Sequence, residues 1–298
     1  MKTISVISPH YDDAALSLAL SIGLWLDAGV CVRVVNCFTQ SDHAPHARIA
    51  PIPQALAGRI VARLRRSLSA HSAQGSAGVA TFTRGRRIEI VSDLRRREDS
   101  VFRNCYSPPL GALDLGCVDA PAREDATGRP ILGGRLSPAD IEIVASLSEI
   151  FRRLTAEDSV IAPLGLGGHV DHRIARQAAI DAVGPSRLAF YEELPYAAGI
   201  GSEVVAAEVR DVQALTGLKE PLVKIVPAIN STVDKEPLIS VYRSQFSRRE
   251  FRGIAKLGGG AERIWAAGPW LAAYAGRGFG SPGGTSGTAI PSDVSVPN

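Results

Sequence analysis

A chain of 298 residues with 45% apolar residues, 21% charged residues and a formal net charge of +3 has ordinary globular composition, enough for one large or two modest domains. Its arginines are scattered among acids, which gives no support to nucleic-acid or membrane binding, and no apolar run approaches the ~18 residues that span a bilayer. The four cysteines (Cys31, Cys37, Cys105, Cys117) form no CxxC pair and no secretory leader is recognisable, so reduced thiols and a cytoplasmic location are expected.

The first stretch, KTISVIS (2–8), is β-branched and alternating, and predicts a strand. DDAALSLALSIGLWLDAG follows with apolar residues at helical spacing, acids in its first turn and Gly29 at its end, so it predicts a helix with start and stop signals. VCVRVVNCFT (30–39) reads as a second strand, and strand–helix–strand within 40 residues implies a parallel pair with a right-handed crossover. Residues 43–92 mix proline, glycine and arginine and read as one helix plus a loop. Segment 105–138, rich in proline and glycine, reads as a long irregular excursion of the functional kind. DSVIAPL (158–164) and RLAFYEEL (187–194) read as strands flanking a helix, and SVYRSQF precedes a last helical stretch. The alternation predicts an α/β fold of the doubly wound, mostly parallel type over residues 1–275, with 276–298 as a flexible Gly/Ser/Pro-rich tail.

Open α/β sheets bind ligands at the carboxyl ends of their strands. Two polar clusters fall there: His10, Asp12 and Asp13 after the first strand, and GLGGHVDHR (165–173), with His169, Asp171 and His172, after the strand at 158–164. Together they place several imidazoles and carboxylates in one crevice, a donor set that suits a catalytic zinc with one open position. Water on such a metal loses a proton near neutral pH, an uncoordinated carboxylate can take that proton, and a further histidine can stabilise an oxyanion or protonate an amine. That machinery suits amide hydrolysis. The plainer readings are that Asp12 and Asp13 cap the following helix, and that the glycines before His169 form an anion nest; the latter lacks GxGxxG spacing. Neither Ser8 nor Ser17 lies in a GxSxG elbow. His43, His46 and His71 are expected in solvent, with one of them lining the pocket as the alternative; RLRRS and RRRED are expected as solvated helix faces, with Arg95 meeting an anionic substrate group as the alternative, and Trp265 and Trp270 as packing residues.

SPHYDDAALS and GHVDHRIA resemble the paired signatures of the PIG-L/LmbE-like zinc-dependent N-acetylglucosaminyl deacetylases, with weaker echoes in the Phe38–Thr39 pair, Arg95 with Glu98, YEELPYA (191–197) and YRSQF (242–246). The resemblance implies a Rossmann-like fold and a zinc ion, or another divalent metal, held by His10, Asp13 and His172. It implies Asp12 as general base, His169 as general acid or oxyanion stabiliser, and Asp171 as the orienting partner of His169. It places Arg95, Asp119, Tyr11 and Tyr196 toward substrate. Tyr11 and Ala14 depart from the usual proline and glutamate. Gly167 stands where some relatives carry a tyrosine, which leaves the oxyanion role to His169 and the metal, or to Tyr11 or Tyr196. The implied activity is removal of an N-acyl, chiefly acetyl, group from an amino sugar or glycosylated small molecule, by a protein with no nucleic-acid or membrane partner and an open oligomeric state. The alternatives are an amidase of a thiol S-conjugate on the same scaffold, or a non-catalytic metal- or sugar-binding protein.

Overall fold

The computed structural model describes residues 3–47, 75–123, 136–227 and 234–274, with backbone alone for 75–83. The proposed tail, RLRRS and His71 lie outside the described residues.

Among the described residues seven strands form one sheet: β1 (Thr3–Ser8), β2 (Cys31–Gln40), β3 (Gly111–Val118), β4 (Ser159–Pro163), β5 (Leu188–Tyr191), β6 (Val223–Ile225) and β7 (Ile264–Ala266). Their order is β3-β2-β1-β4-β5-β7-β6. The first five are mutually parallel, whereas β7 is antiparallel to both β5 and β6. The helices used below are α1 (Asp13–Asp27), α2 (Gly75–Arg103), α3 (Pro138–Leu154), α4 (Val170–Ala182), α5 (Tyr196–Gly199), α6 (Ser202–Thr216), α7 (Glu236–Ile239), α8 (Arg248–Lys256) and α9 (Gly268–Tyr274).

The period of two along each strand sorts side chains between two cores. Ile4, Val6, Val32, Val34 and Ile161 face α1, α8 and α9, which contribute Ala15, Leu18, Ile22, Trp25, Phe251 and Trp270. Ile7, Val35, Val160, Ala162 and Phe190 face α3, α4 and α6, through Leu147, Phe151, Ile174, Ala178 and Val209. A sheet covered on both faces is the reason its inner strands are near-continuous apolar runs. Among the described residues no helix is long and apolar enough to cross a membrane.

Two segments differ from expectation. The stretch 105–138 is not wholly irregular, because Gly111–Val118 pairs with β2 as an edge strand. RRRED is not a solvated face throughout: Arg96 and Arg97 are exposed, but Arg95 and Asp99 are buried.

Candidate metal centre

β1 lies between β2 and β4, so the chain leaves the sheet in opposite directions on its two sides, and a crevice opens where the turns after β1 and β4 diverge. The turn after β1 carries residues 9–12 and runs directly into α1. Asp12 sits at the N-cap of α1, yet its side chain makes no capping bond. Its Oδ1 instead accepts a 2.9 Å hydrogen bond from Arg95 Nη2. Asp13 Oδ2 accepts the His10 amide at 2.8 Å and lies 3.1 Å from His10 Nδ1. The capping reading therefore fails for both carboxylates, which are turned into the crevice.

From the other side, the turn after β4 uses glycines with left-handed backbone before α4 begins at Val170. His172 is fully buried, and its Nε2 has no hydrogen-bond partner among the described residues and lies 3.4 Å from Asp13 Oδ2. One nitrogen each of His10 and His172 and one oxygen of Asp13 lie within 4.8 Å of one another. The separations of 3.1 and 3.4 Å bracket the edge of a tetrahedron with zinc–ligand bonds of ~2.0–2.1 Å, which is about 3.3–3.4 Å.

What fixes the two rings is a second carboxylate behind each. His10 Nε2 is 3.0 Å from Asp171 Oδ2, and His172 Nδ1 is 3.1 Å from Glu193 Oε1. A ring that donates one N–H to a carboxylate keeps the lone pair of its other nitrogen forward, and here both forward nitrogens converge on Asp13. Glu193 also accepts the amides of Leu164, Gly165 and Leu166, so one buried carboxylate holds both the turn and the ring. The electrostatics favour a cation at this point. Burial opposes charge on His10, but its hydrogen bonds to Asp13 and Asp171 carry the imidazole up to about 10. Burial likewise opposes ionisation of Asp13, and the imidazoles of His172 and His10 hold it well below the usual carboxylate range. The orphaned His172 nitrogen and this donor set fit a divalent metal ion.

His169, Asp171 and His10 form a second close group, but both Asp171 oxygens are already engaged: Oδ2 also accepts the Ala120 amide at 2.8 Å and Oδ1 accepts Arg123 Nη1 at 2.7 Å. Its carboxylate thus orients His10. The expectation that it orients His169 is corrected, since His169 receives the Asp171 backbone amide, at Nδ1 and 3.2 Å. Burial, with His10 and His172 nearby, pushes His169 down to about 3, so the ring is neutral, with Nδ1 accepting and the proton on Nε2.

A cavity of about 550 Å³ is lined by His10, Asp12, Asp13, Arg95, Asp119, His169 and Tyr196, together with His43, Gln245 and Phe246. His172 and Asp171 are fully buried and are not among its lining residues. Arg95 Nη1 donates to Ser41 Oγ at 3.2 Å and stands 3.8 Å from Asp119 Oδ2. Tyr11 does not line the cavity; it is buried in the core with its hydroxyl donating to Asp114 on β3 at 2.7 Å. His43 is exposed, as expected, and also lines the cavity; partial burial followed by the Arg95 charge lowers its pKa. Sequence reasoning also missed Glu193 and Arg123. YEELPYA carried the signal for Glu193 but did not distinguish it from Glu192, whose Oε1 accepts the Trp265 indole N–H.

No family model matches the chain. In sequence it is 27% identical to 2'-N-acetylparomamine deacetylase from Streptomyces fradiae over 297 residues, covering 93% of this chain and 86% of that protein. The zinc-inhibited form of teicoplanin deacetylase superposes with a TM-score of 0.55 at 20% identity, covering 89% of this chain and 97% of the other. The A40926 pseudoaglycone deacetylase gives 0.51 at 21% identity, covering 90% and 98%. In fold, this chain is similar to the teicoplanin and A40926 pseudoaglycone deacetylases.

Proposed function

We propose that this protein is a zinc-dependent N-deacetylase that hydrolyses the acetamide of an amino sugar carried on a larger molecule, within the PIG-L/LmbE type. The observation that carries the reading is the convergence of His10, Asp13 and His172, each backed or bridged by a carboxylate, beside an acid that belongs to no ligand group. Similarity to deacetylases of acetylparomamine, teicoplanin and A40926 pseudoaglycone supports both the reaction and the substrate class.

His10, Asp13 and His172 would hold the metal, which when bound supplies an activated water and polarises the acyl carbonyl. Asp12 keeps Oδ1 on Arg95 and leaves Oδ2 free of any described partner, ready to take a proton from the attacking water. The same oxygen then gives that proton to the departing amine, so a single carboxylate serves both halves of the reaction. His169, neutral and protonated at Nε2, suits the stabilising role over that of general acid, because it has a hydrogen to offer without a charge to discharge. Asp119 accepts the Ala122 amide at Oδ1 and lines the cavity, where a carboxylate binds sugar hydroxyls.

The test is elemental analysis of the purified protein combined with acetate-release assays over N-acetyl amino sugars, acylated glycosylated natural products and thiol S-conjugates. Stoichiometric zinc with release from the first two groups is expected. Turnover of S-conjugates alone would replace the substrate class, and a metal-loaded protein that hydrolyses none of them would make this a binding protein.

A further inference from the structure

Gly167 lies in the turn between β4 and α4, with a backbone φ of +76°. A Cβ built there would stand 2.4 Å from Cδ1 of Tyr196, 2.8 Å from its Cγ and 3.1 Å from its Cβ. No pair of real atoms tolerates the first of these distances, so the Tyr196 ring occupies the volume in which any side chain at 167 would lie. The ring also meets the imidazole of His172 edge-on, with centroids 5.4 Å apart at 87°. It lines the same cavity as His10, Asp12, Asp13 and His169.

The chain has six tyrosines. Five hydroxyls are spent inside the fold, on Asp114 (Tyr11), the Ala19 carbonyl (Tyr106), the Ile7 carbonyl (Tyr191), Asp99 (Tyr242) and the Thr3 carbonyl (Tyr274). Tyr196 is the exception: its hydroxyl bonds to no described residue, and it is the tyrosine that faces the cavity. A half-buried phenol without an internal partner, packed on a metal-ligand ring, is a donor waiting for an acceptor that comes with the substrate.

We propose that Tyr196 is a catalytic residue that donates its hydroxyl hydrogen bond to the acyl oxygen as negative charge develops there, and that Gly167 is bare because the Tyr196 ring fills its side-chain space. The inference rests on the deacetylase reading for the identity of the acyl group. The segment after β5 thereby supplies a function that the turn after β4, stripped of a side chain, does not. His169 and Tyr196 approach the acyl oxygen from two different elements, and the phenol adds a neutral donor without a proton transfer.

Tyr196→Phe keeps the ring over Gly167 and removes only the donor. In the metal-loaded protein it should lower kcat about 100- to 1000-fold, the cost of deleting one oxyanion donor, with KM within about threefold and zinc content unchanged. A kcat within about twofold of wild type overturns the proposal while leaving the deacetylase reading intact. Binding of methylphosphonate, a tetrahedral mimic of the acetyl centre, gives a readout that needs no turnover. The Phe variant should bind it at least about tenfold more weakly by calorimetry. Equal affinity, or no binding by either protein, overturns the proposal. The packing half is tested by a double-mutant cycle. Gly167→Ala should lower kcat strongly in the wild-type background and much less in a Tyr196→Ala background, where no ring remains to displace. Equal effects in both backgrounds would mean that Gly167 acts through its own backbone alone.

Discussion

Asp12 is held by a buried guanidinium and belongs to neither candidate ligand group, so the proposed proton transfer and metal binding fall on different residues. Asp12→Asn preserves the shape and the contact to Arg95, so zinc content should stay at wild-type stoichiometry while turnover falls by about 10²–10⁴. A variant that loses its zinc instead would make Asp12 a ligand. Glu193 predicts the opposite pattern. Glu193→Gln weakens the grip on His172 and should reduce metal affinity about 10- to 100-fold in chelator competition; unchanged affinity would show that the turn alone fixes the ring. Away from the crevice, burial raises the Asp99 carboxyl to about 6, despite Arg103 and Tyr242 beside it. A folded pKa above the unfolded one means that the native state binds the extra proton between about pH 4 and 6, so this contribution is present below pH 4 and lost as pH rises through 6. Asp99→Asn, which cannot ionise, should therefore gain stability relative to wild type across that interval, by up to about 3 kcal/mol in urea denaturation at stepped pH. A difference that does not vary with pH would remove Asp99 from the account.

At the scale of elements, α2 shows how a functional face escapes a sequence reading. Val91, Arg95, Asp99 and Phe102 are its buried stripe, at helical spacing, but two of the four are charged, and a pattern search for apolar periodicity passes over them. β1, α1, β2, β4, α4 and β5 were legible because β-branched alternation and glycine stops agree with their tertiary roles. β3 was not, since GALDLGCV, with a glycine at its start and another within, sits in a proline- and glycine-rich stretch and takes its strand character from β2. β6 and β7 have three residues each, too few to display a period. The two turns that carry the candidate metal donors were legible from their residue types; the carboxylates behind them depend on which of several acids turns inward, and that is decided by packing. A different buried pair ties α1 to the distal end of the chain. Lys235 Nζ lies 2.6 Å from Glu262 Oε1, and Glu262 accepts the amides of Leu20 and Ser21. Lys235→Met leaves that carboxylate buried without its cation and should destabilise the protein by about 3–5 kcal/mol in chemical denaturation. A loss below about 1 kcal/mol would mean that the two amides suffice to hold Glu262.

For the molecule as a whole, the pairing of β1 with β4 sets when the centre can exist. Ile4 and Val6 pair with Ser159 and Ile161, so the sheet position that brings His10 and Asp13 to His172 closes a loop of roughly 155 residues. Contacts of such long sequence separation form late, after local units such as β1–α1–β2 have collapsed. During synthesis the first half of the chain emerges with two of the three proposed metal ligands and without the third. Until β4 and α4 dock, His10 and Asp13 have neither His172 to complete the group nor Asp171 to aim the His10 ring. The proposed metal centre is thus complete only once the central crossover is made, and an ion bound there would report that the crossover has formed.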